Sequence, residues 1–233
     1  GLEDPFDAVH HVVNVGALPD PACNRPGVGT AVAGVENVVA LADVDWARGA
    51  QGFKTWPKAT KYKDFRVMLE KEGKNIDAVT IGIPDFMHAT VALHCMQHGK
   101  HVYLEKPLTR TVWESRLLQE AAVKYKVATQ MGNQGRSGDG ARLTREWIRH
   151  GAIGRVREVH AWHRLPGWPQ GMANTPAPTP VPSTLDWNLW LGTAAERPFV
   201  DGIYHPANLL CPFRFKEGNI LRSVSRFLVS RYR

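Results

Sequence analysis

Lys106 has the best claim to chemistry in this chain. It stands in the run Gly99-Lys100-His101-Val102-Tyr103-Leu104-Glu105-Lys106-Pro107. The apolar and aromatic stretch His101–Leu104 predicts a buried strand that ends abruptly in Glu-Lys-Pro. Pro107 cannot donate to a strand ladder, and it restricts Lys106 to extended or turn backbone. An ammonium is thereby presented at the carboxyl end of a strand, where open α/β sheets bind ligands. Such a group can hydrogen-bond a substrate hydroxyl and assist its deprotonation while hydride leaves. An isolated Glu-Lys-Pro more often holds a solvated lysine, so the surrounding elements must carry the argument.

Those elements alternate. Val38–Ala42, Ala78–Ile83, His101–Leu104 and Val127–Met131 are short apolar runs, and Phe65–Glu72, Ala89–His98 and Val112–Tyr125 have helical spacing. Strand–helix alternation predicts a parallel sheet with crossover helices. Asp139–His150 reads as a further helix with Leu143, Trp147 and Ile148 on one face, and Gly151-Ala152-Ile153-Gly154 turns the chain into an alternating stretch, Val156–His163. Leu165–Ser183 holds six prolines in nineteen residues and reads as a long loop.

The segment Asp77–Pro107 resembles the glucose–fructose oxidoreductase/inositol dehydrogenase (Gfo/Idh/MocA) family of nicotinamide-dependent sugar oxidoreductases. The likeness runs on through Gly132-Asn133-Gln134-Gly135, Trp147–Val156, Trp187–Gly192 and Glu196-Arg197-Pro198-Phe199, and spans roughly Val38 to Pro206. The resemblance implies an α/β fold: a Rossmann-like doubly wound parallel sheet over residues 1–135, then an incomplete α+β substrate domain over 136–206 in which Val156–His163 opens an antiparallel sheet. Residues 207–233 form a divergent basic tail. The resemblance also leads one to expect an Asp and a His about four residues apart beyond Pro206, and the tail has no His. The chain therefore reads as a member truncated or altered at its carboxyl end. The stretch Asn219–Tyr232 is amphipathic at helical spacing.

The resemblance assigns Lys106 as the catalytic residue, touching both cofactor and substrate. Pro84 and His88 fall beside the expected nicotinamide, His88 either capping the next helix or contacting ribose. Glu105 resembles a residue that contacts the nicotinamide-side ribose. Asn133 and Gln134 follow the sixth strand, with cofactor carboxamide and substrate as partners or simple turn chemistry as the alternative. Asp43 follows the strand Val38–Ala42, where an acid accepts hydrogen bonds from the adenosine ribose. Asp45 is the second choice, and a helix N-cap is the competing role. An acid there favours NAD over NADP, whose 2′-phosphate it repels. The phosphate loop departs from the family pattern. If His11–Val15 is the first strand, Gly16 is its first glycine, and Leu18 and Pro21 take the other two glycine positions; Gly27-Val28-Gly29 is the other candidate. Arg164 and Trp168 suit a sugar, pairing with hydroxyls and stacking on the ring. Arg197 is expected to need an anion, here the cofactor, because a buried guanidinium is costly unpaired. Trp190 is expected in the core.

Composition narrows the classes. Hydrophobic residues make 43% and charged residues 22% of 233, a globular balance. No apolar run reaches the roughly 20 residues of a membrane span. Residues 207–233 carry +5 of the net +7, so the body is near neutral and nucleic-acid binding is not expected. Cys23, Cys95 and Cys211 show no metal-ligand spacing, and no metal is expected. They fit a reducing, cytoplasmic setting. The amino terminus lacks signal-peptide regions, which leaves export of a cleaved precursor open. The expected partner is a small sugar, cyclitol or polyol, with self-association through the second-domain sheet as a further expectation. The functional reading is an NAD-dependent oxidoreductase. Its alternatives are a nucleotide- or sugar-binding remnant without turnover and an NAD-dependent glycosidase of the same family.

Overall fold

The computed structural model describes residues 37–133, 136, 138–160 and 176–201, and the backbone of residues 11–15. Six parallel strands form one sheet: β1 (His11–Val15), β2 (Asn37–Ala42), β3 (Thr60–Tyr62), β4 (Ala78–Ile81), β5 (His101–Glu105) and β6 (Thr129–Gly132). Their order is β3-β2-β1-β4-β5-β6. The chain builds outward from β1 to β3, then restarts on the other side of β1 with β4. That reversal opens a crevice at the carboxyl ends of β1 and β4, the place where doubly wound sheets bind ligands.

Parallel neighbours need crossovers. Among the described residues these are α1 (Trp46–Thr55), α2 (Phe65–Glu72), α3 (His88–Gln97) and α4 (Val112–Tyr125). Each begins for a local reason. Asp45 caps α1 by accepting from Ala47 N at 3.0 Å, and Asp64 caps α2 by accepting from Arg66 N at 2.8 Å. Thr111 and Glu114 form a reciprocal capping box at α4. Between sheet and helices lies a core in which Met68, Leu69, Val79, Ile81, Val91, Ala92, Val102, Leu104, Leu118 and Ala121 are all buried. Strand β4 is buried at every position, as an interior parallel strand should be. A second small cluster, Val38, Leu41 and Ala59 with Phe53 and Trp56, packs separately under α1.

Three expectations shift. The strand expected over 78–83 stops at Ile81, because the chain turns through a single 3-10 turn at Asp85–Met87. The strand expected from Val127 starts at Thr129. Helix α1 was foreseen only through the competing N-cap role at Asp43 and Asp45, and strand β3 was not: it is only Thr-Lys-Tyr at the sheet edge, too short and polar to show a period.

The chain divides into two compact units. Thr179–Phe199 belongs with the first, which otherwise ends at Gly132. Sequence placed this segment in the second domain; it packs on the Rossmann unit instead because its apolar residues are buried there. In its short helix α6 (Trp187–Leu191), Trp190 is buried as expected, with Leu191 and Phe199. Asp186 caps this helix by accepting from Leu189 N. The segment meets the sheet edge at two corners. Leu185 bridges antiparallel to Asp45, with Trp46 N donating to Thr184 O and Asp186 N to Val44 O. Trp190 meets Phe86 edge-on at 5.9 Å, and Thr193 N donates to Met87 Sδ at 3.3 Å.

The second unit is described over residues 133, 136, 138–160, 176–178 and 200–201. Helix α5 (Asp139–Arg149) forms as expected, yet Leu143, Trp147 and Ile148 on its apolar face are 42%, 60% and 43% exposed. The strand expected over Val156–His163 is absent from its described part, residues 156–160, where Val156 and Val159 are exposed. An alternating sequence makes a strand only when a neighbour accepts its backbone hydrogen bonds, and no such neighbour occurs among the described residues. The antiparallel sheet of the second domain is therefore not seen there. The tail 207–233 lies outside the described residues.

Candidate functional site

Two corners of the carboxyl edge hold the expected site residues of the first unit. The first follows β2. Asp43 N donates to Tyr62 O, which ties the corner to β3. Asp43 Oδ1 accepts from Asp45 N at 2.9 Å. Asp43 Oδ2 is buried and has no hydrogen-bond partner among the described residues. The two acids thus separate: Asp45 is the helix cap, and Asp43 keeps a free acceptor. Burial pushes the Asp43 carboxyl up to about 6, opposed by the Asp45 N–H bond; the charge of Asp45 raises it further and that of Arg48 lowers it. An unsatisfied buried acceptor costs stability. It is also what a ribose hydroxyl would satisfy, so the corner fits the adenosine half of a dinucleotide. Arg48, on the first turn of α1, leaves its buried Nε unpaired as well; the sequence analysis did not single it out.

The second corner lies where β4 and β5 end side by side. Lys106 follows β5 directly and its side chain is exposed at the sheet's carboxyl edge. The Lys106–Pro107 peptide bond is cis. Glu105 turns its carboxylate back so that Oε2 accepts from Lys106 N at 3.3 Å. A Cβ placed on Gly132 would lie 2.8 Å from Glu105 Oε1 and 3.0 Å from Tyr103 Cε1. Glycine there leaves room for the Glu105 carboxylate, a use beyond the turn chemistry expected of it. Pro84 closes the loop after β4, and its carbonyl accepts from Met87 N at 2.9 Å.

His88 departs from expectation. Neither capping α3 nor reaching toward a ribose, its ring is 1% exposed and turned inward. Nδ1 lies 2.6 Å from Pro107 O and Nε2 lies 2.9 Å from Ile83 O. With both ring nitrogens occupied by carbonyls, the cofactor contact expected of His88 gives way to an internal one. Asp85, three residues earlier, also escaped the sequence analysis. Burial raises its carboxyl above the usual range, and the charges of His88 and Lys106 pull it back down. A signal existed in the Pro-Asp step that ends the β4 loop, but nothing in the sequence placed it near Lys106.

Arg197 is half-buried, and its Nε donates to Ala195 O at 3.1 Å while its own carbonyl accepts from Trp187 Nε1. A backbone carbonyl therefore answers the Nε donor. Asn133 is exposed at the start of the second unit, its carbonyl accepting from Arg136 N. Gly16, Gln134, Arg164 and Trp168 lie outside the described residues. Among the described residues no group of three or more His, Cys, Asp or Glu could hold a metal ion. No described helix is long and apolar enough to cross a membrane. Burial pushes the Cys95 thiol up to about 12, so it is an inert core side chain.

Comparison with known proteins agrees with this architecture. Residues 23–133 match the family model described as "Oxidoreductase family, NAD-binding Rossmann fold", GFO_IDH_MocA. The levoglucosan dehydrogenase of Pseudarthrobacter phenanthrenivorans is 29% identical over 122 residues, 52% of this chain and 30% of that protein. An inositol 2-dehydrogenase of Rubrobacter xylanophilus is 30% identical over 128 residues, 54% of this chain and 36% of that protein. Among solved structures, a 3-ketoreductase from Actinomadura kijaniata, in complex with TDP-benzene and NADP, superposes with a TM-score of 0.55 at 23% identity, covering 64% of this chain and 46% of that one. That likeness shows the fold. The matched stretch is thus less than half of each of these proteins. Strand order, switch point and family match coincide on one segment, and over residues 23–133 this chain is similar to the NAD-binding Rossmann domain of the Gfo/Idh/MocA oxidoreductase family.

Proposed function

We propose that this protein is an NAD-dependent dehydrogenase acting on a secondary alcohol of a sugar, cyclitol or related polyol, with Lys106 as its catalytic residue. The observation that carries this reading is Lys106 itself: an exposed ammonium at the carboxyl end of β5, one strand from the switch point. When bound, the nicotinamide supplies the hydride acceptor. Everything else falls to the chain. Asp43 Oδ2 accepts from the adenosine ribose hydroxyls, and its charge disfavours a 2′-phosphate, hence NAD over NADP. The neutral amine of Lys106 accepts the proton of the reacting hydroxyl as hydride leaves, and the ammonium so formed donates to the new carbonyl oxygen. Glu105 holds the turn by accepting from Lys106 N.

The substrate class is supported by the chemistry of the two dehydrogenases matched above, one named for levoglucosan and one for inositol. The modest cysteine content suits a cytoplasmic enzyme, and the near-neutral body offers no footprint for nucleic acid. The test is a titration of the purified protein with NAD and NADP, followed by a screen of inositols, anhydrosugars and sugars for nucleotide reduction. Tight NAD binding with turnover of one polyol class is the expected result. Nucleotide binding with no turnover across the screen would leave the binding remnant as the better reading, and no nucleotide binding would overturn both.

A further inference from the structure

His88 joins two loops that sequence treats as separate. Ile83 ends the stretch that leaves β4, and Pro107 is the residue after Lys106. The imidazole lies between their carbonyl oxygens at 2.9 and 2.6 Å. Carbonyl oxygens only accept, so each contact is a hydrogen bond when the facing ring nitrogen carries a proton; a neutral ring serves one of them and an imidazolium serves both. The ring is sealed from solvent, where such bonds are strengthened by low local dielectric. The Lys106 side chain, by contrast, is exposed, and no strand ladder holds the residue, since β5 ends at Glu105. On the far side, Leu108 packs against the main core, and Thr109 Oγ1 donates to Thr111 O at the start of α4. The turn is therefore fixed at Glu105 before Lys106, and after it by the His88 ring on Pro107 and the anchors that follow.

We propose that His88 is a positioning residue: by holding the Pro107 carbonyl against the end of β4, it sets where the Lys106 ammonium stands. The proposal rests on the catalytic role given to Lys106 above. Its competitor is that His88 only satisfies two buried carbonyls and stabilises the fold. Geometry favours positioning because the two carbonyls belong to loops after adjacent strands, and one of them is a single residue from the reacting ammonium. A displacement of about 1 Å at such a group costs about 100-fold in rate.

The test compares His88→Leu, which keeps bulk and loses the donors, with His88→Gln, which keeps a donor. In the Leu variant, amide exchange over Leu108–Thr111 should rise about tenfold or more, while β4 and α3 amides stay within about twofold. Turnover should fall about 100-fold with NAD affinity within about threefold, a kcat loss without a binding loss. The Gln variant should recover about a tenth or more of both protection and turnover. Adding Lys106→Met to His88→Leu should slow turnover no further than Lys106→Met does alone. The proposal is overturned if exchange rises evenly across the whole unit, if exchange over 108–111 does not change, or if the two substitutions add. A wild-type protein that binds NAD and oxidises no polyol overturns the catalytic reading instead; the exchange contrast decides the tether by itself.

Discussion

The corner after β2 and the corner where β4 meets β5 treat their buried polar groups in opposite ways. At the first, Asp43 keeps one buried carboxylate oxygen with no partner and Arg48 keeps an unpaired Nε. At the second, both nitrogens of the buried His88 ring face carbonyls, and the exposed group is Lys106. A polar atom left unsatisfied inside a fold costs about 1–3 kcal/mol, so its persistence points to a ligand. A polar ring enclosed by backbone carbonyls points to scaffolding. The contrast supports the proposed division, with recognition at the first corner and support of a reactive group at the second.

The largest effect should come from Lys106→Met. Turnover should drop by about 1,000-fold or more, with NAD affinity nearly unchanged; stopped-flow measurement of nucleotide reduction beside a binding titration checks both. A variant that still turns over would move the chemistry to another group and dissolve the contrast.

Asp43→Ala should weaken NAD by about 10- to 100-fold, the worth of a charge-assisted hydrogen bond, and NADP less. The same residue makes a stability prediction. Its folded carboxyl binds its proton more tightly than in the unfolded chain, with a value near 6 against the ordinary 3.8. Between those values the folded state holds more protons, so stability falls as pH rises through the window. Above it the penalty is about 3 kcal/mol. Asp43→Asn should therefore raise the melting temperature at pH 8 and leave it unchanged near pH 3.5, while still weakening NAD. A melting difference independent of pH would mean that the carboxyl is not desolvated.

Smaller effects should follow from crowding the second corner. Gly132→Ala pushes a methyl onto Glu105 and Tyr103 and should cost about 1–3 kcal/mol in urea unfolding, with loss of activity exceeding loss of stability because Glu105 holds the Lys106 turn. The smallest should be Gly192→Ala. Gly192 has φ +50 and would set its new Cβ against Met87 Sδ. The expected stability cost is larger, about 2–4 kcal/mol, but turnover and NAD affinity should be unchanged in the folded fraction, the smallest effect on function. Turnover lost out of proportion would show that the Thr179–Phe199 segment also bears on the neighbouring His88.

Sequence reading located Lys106 and its strand because both are written locally: an apolar run, then a proline that forbids its continuation. It put Asp43 first for the ribose with Asp45 as second choice and a helix cap as the competing role, and only coordinates show that it is Asp45 that accepts from Ala47 N. It did not show that Arg197 Nε meets the carbonyl of Ala195, because such a contact is a matter of chain path and not of residue type. It expected a strand at Val156–His163 from alternation alone, where the described part has none. It also placed Thr179–Phe199 by order along the chain, although Trp190, Leu191 and Phe199 bury themselves on the first unit.

By itself the sequence determined the succession of strands and crossover helices, their caps, and the residue types able to polarise a hydroxyl or hold a ribose. These are short-range properties: periodicity, backbone restriction and side-chain chemistry act within a few residues. Only the tertiary structure decided that β4 would lie beside β1, that Asp43 would keep an oxygen unpaired, and that His88 would reach across to Pro107. Each depends on which distant segments become neighbours, and hydrogen-bond accounting in the interior can be closed only when those neighbours are known.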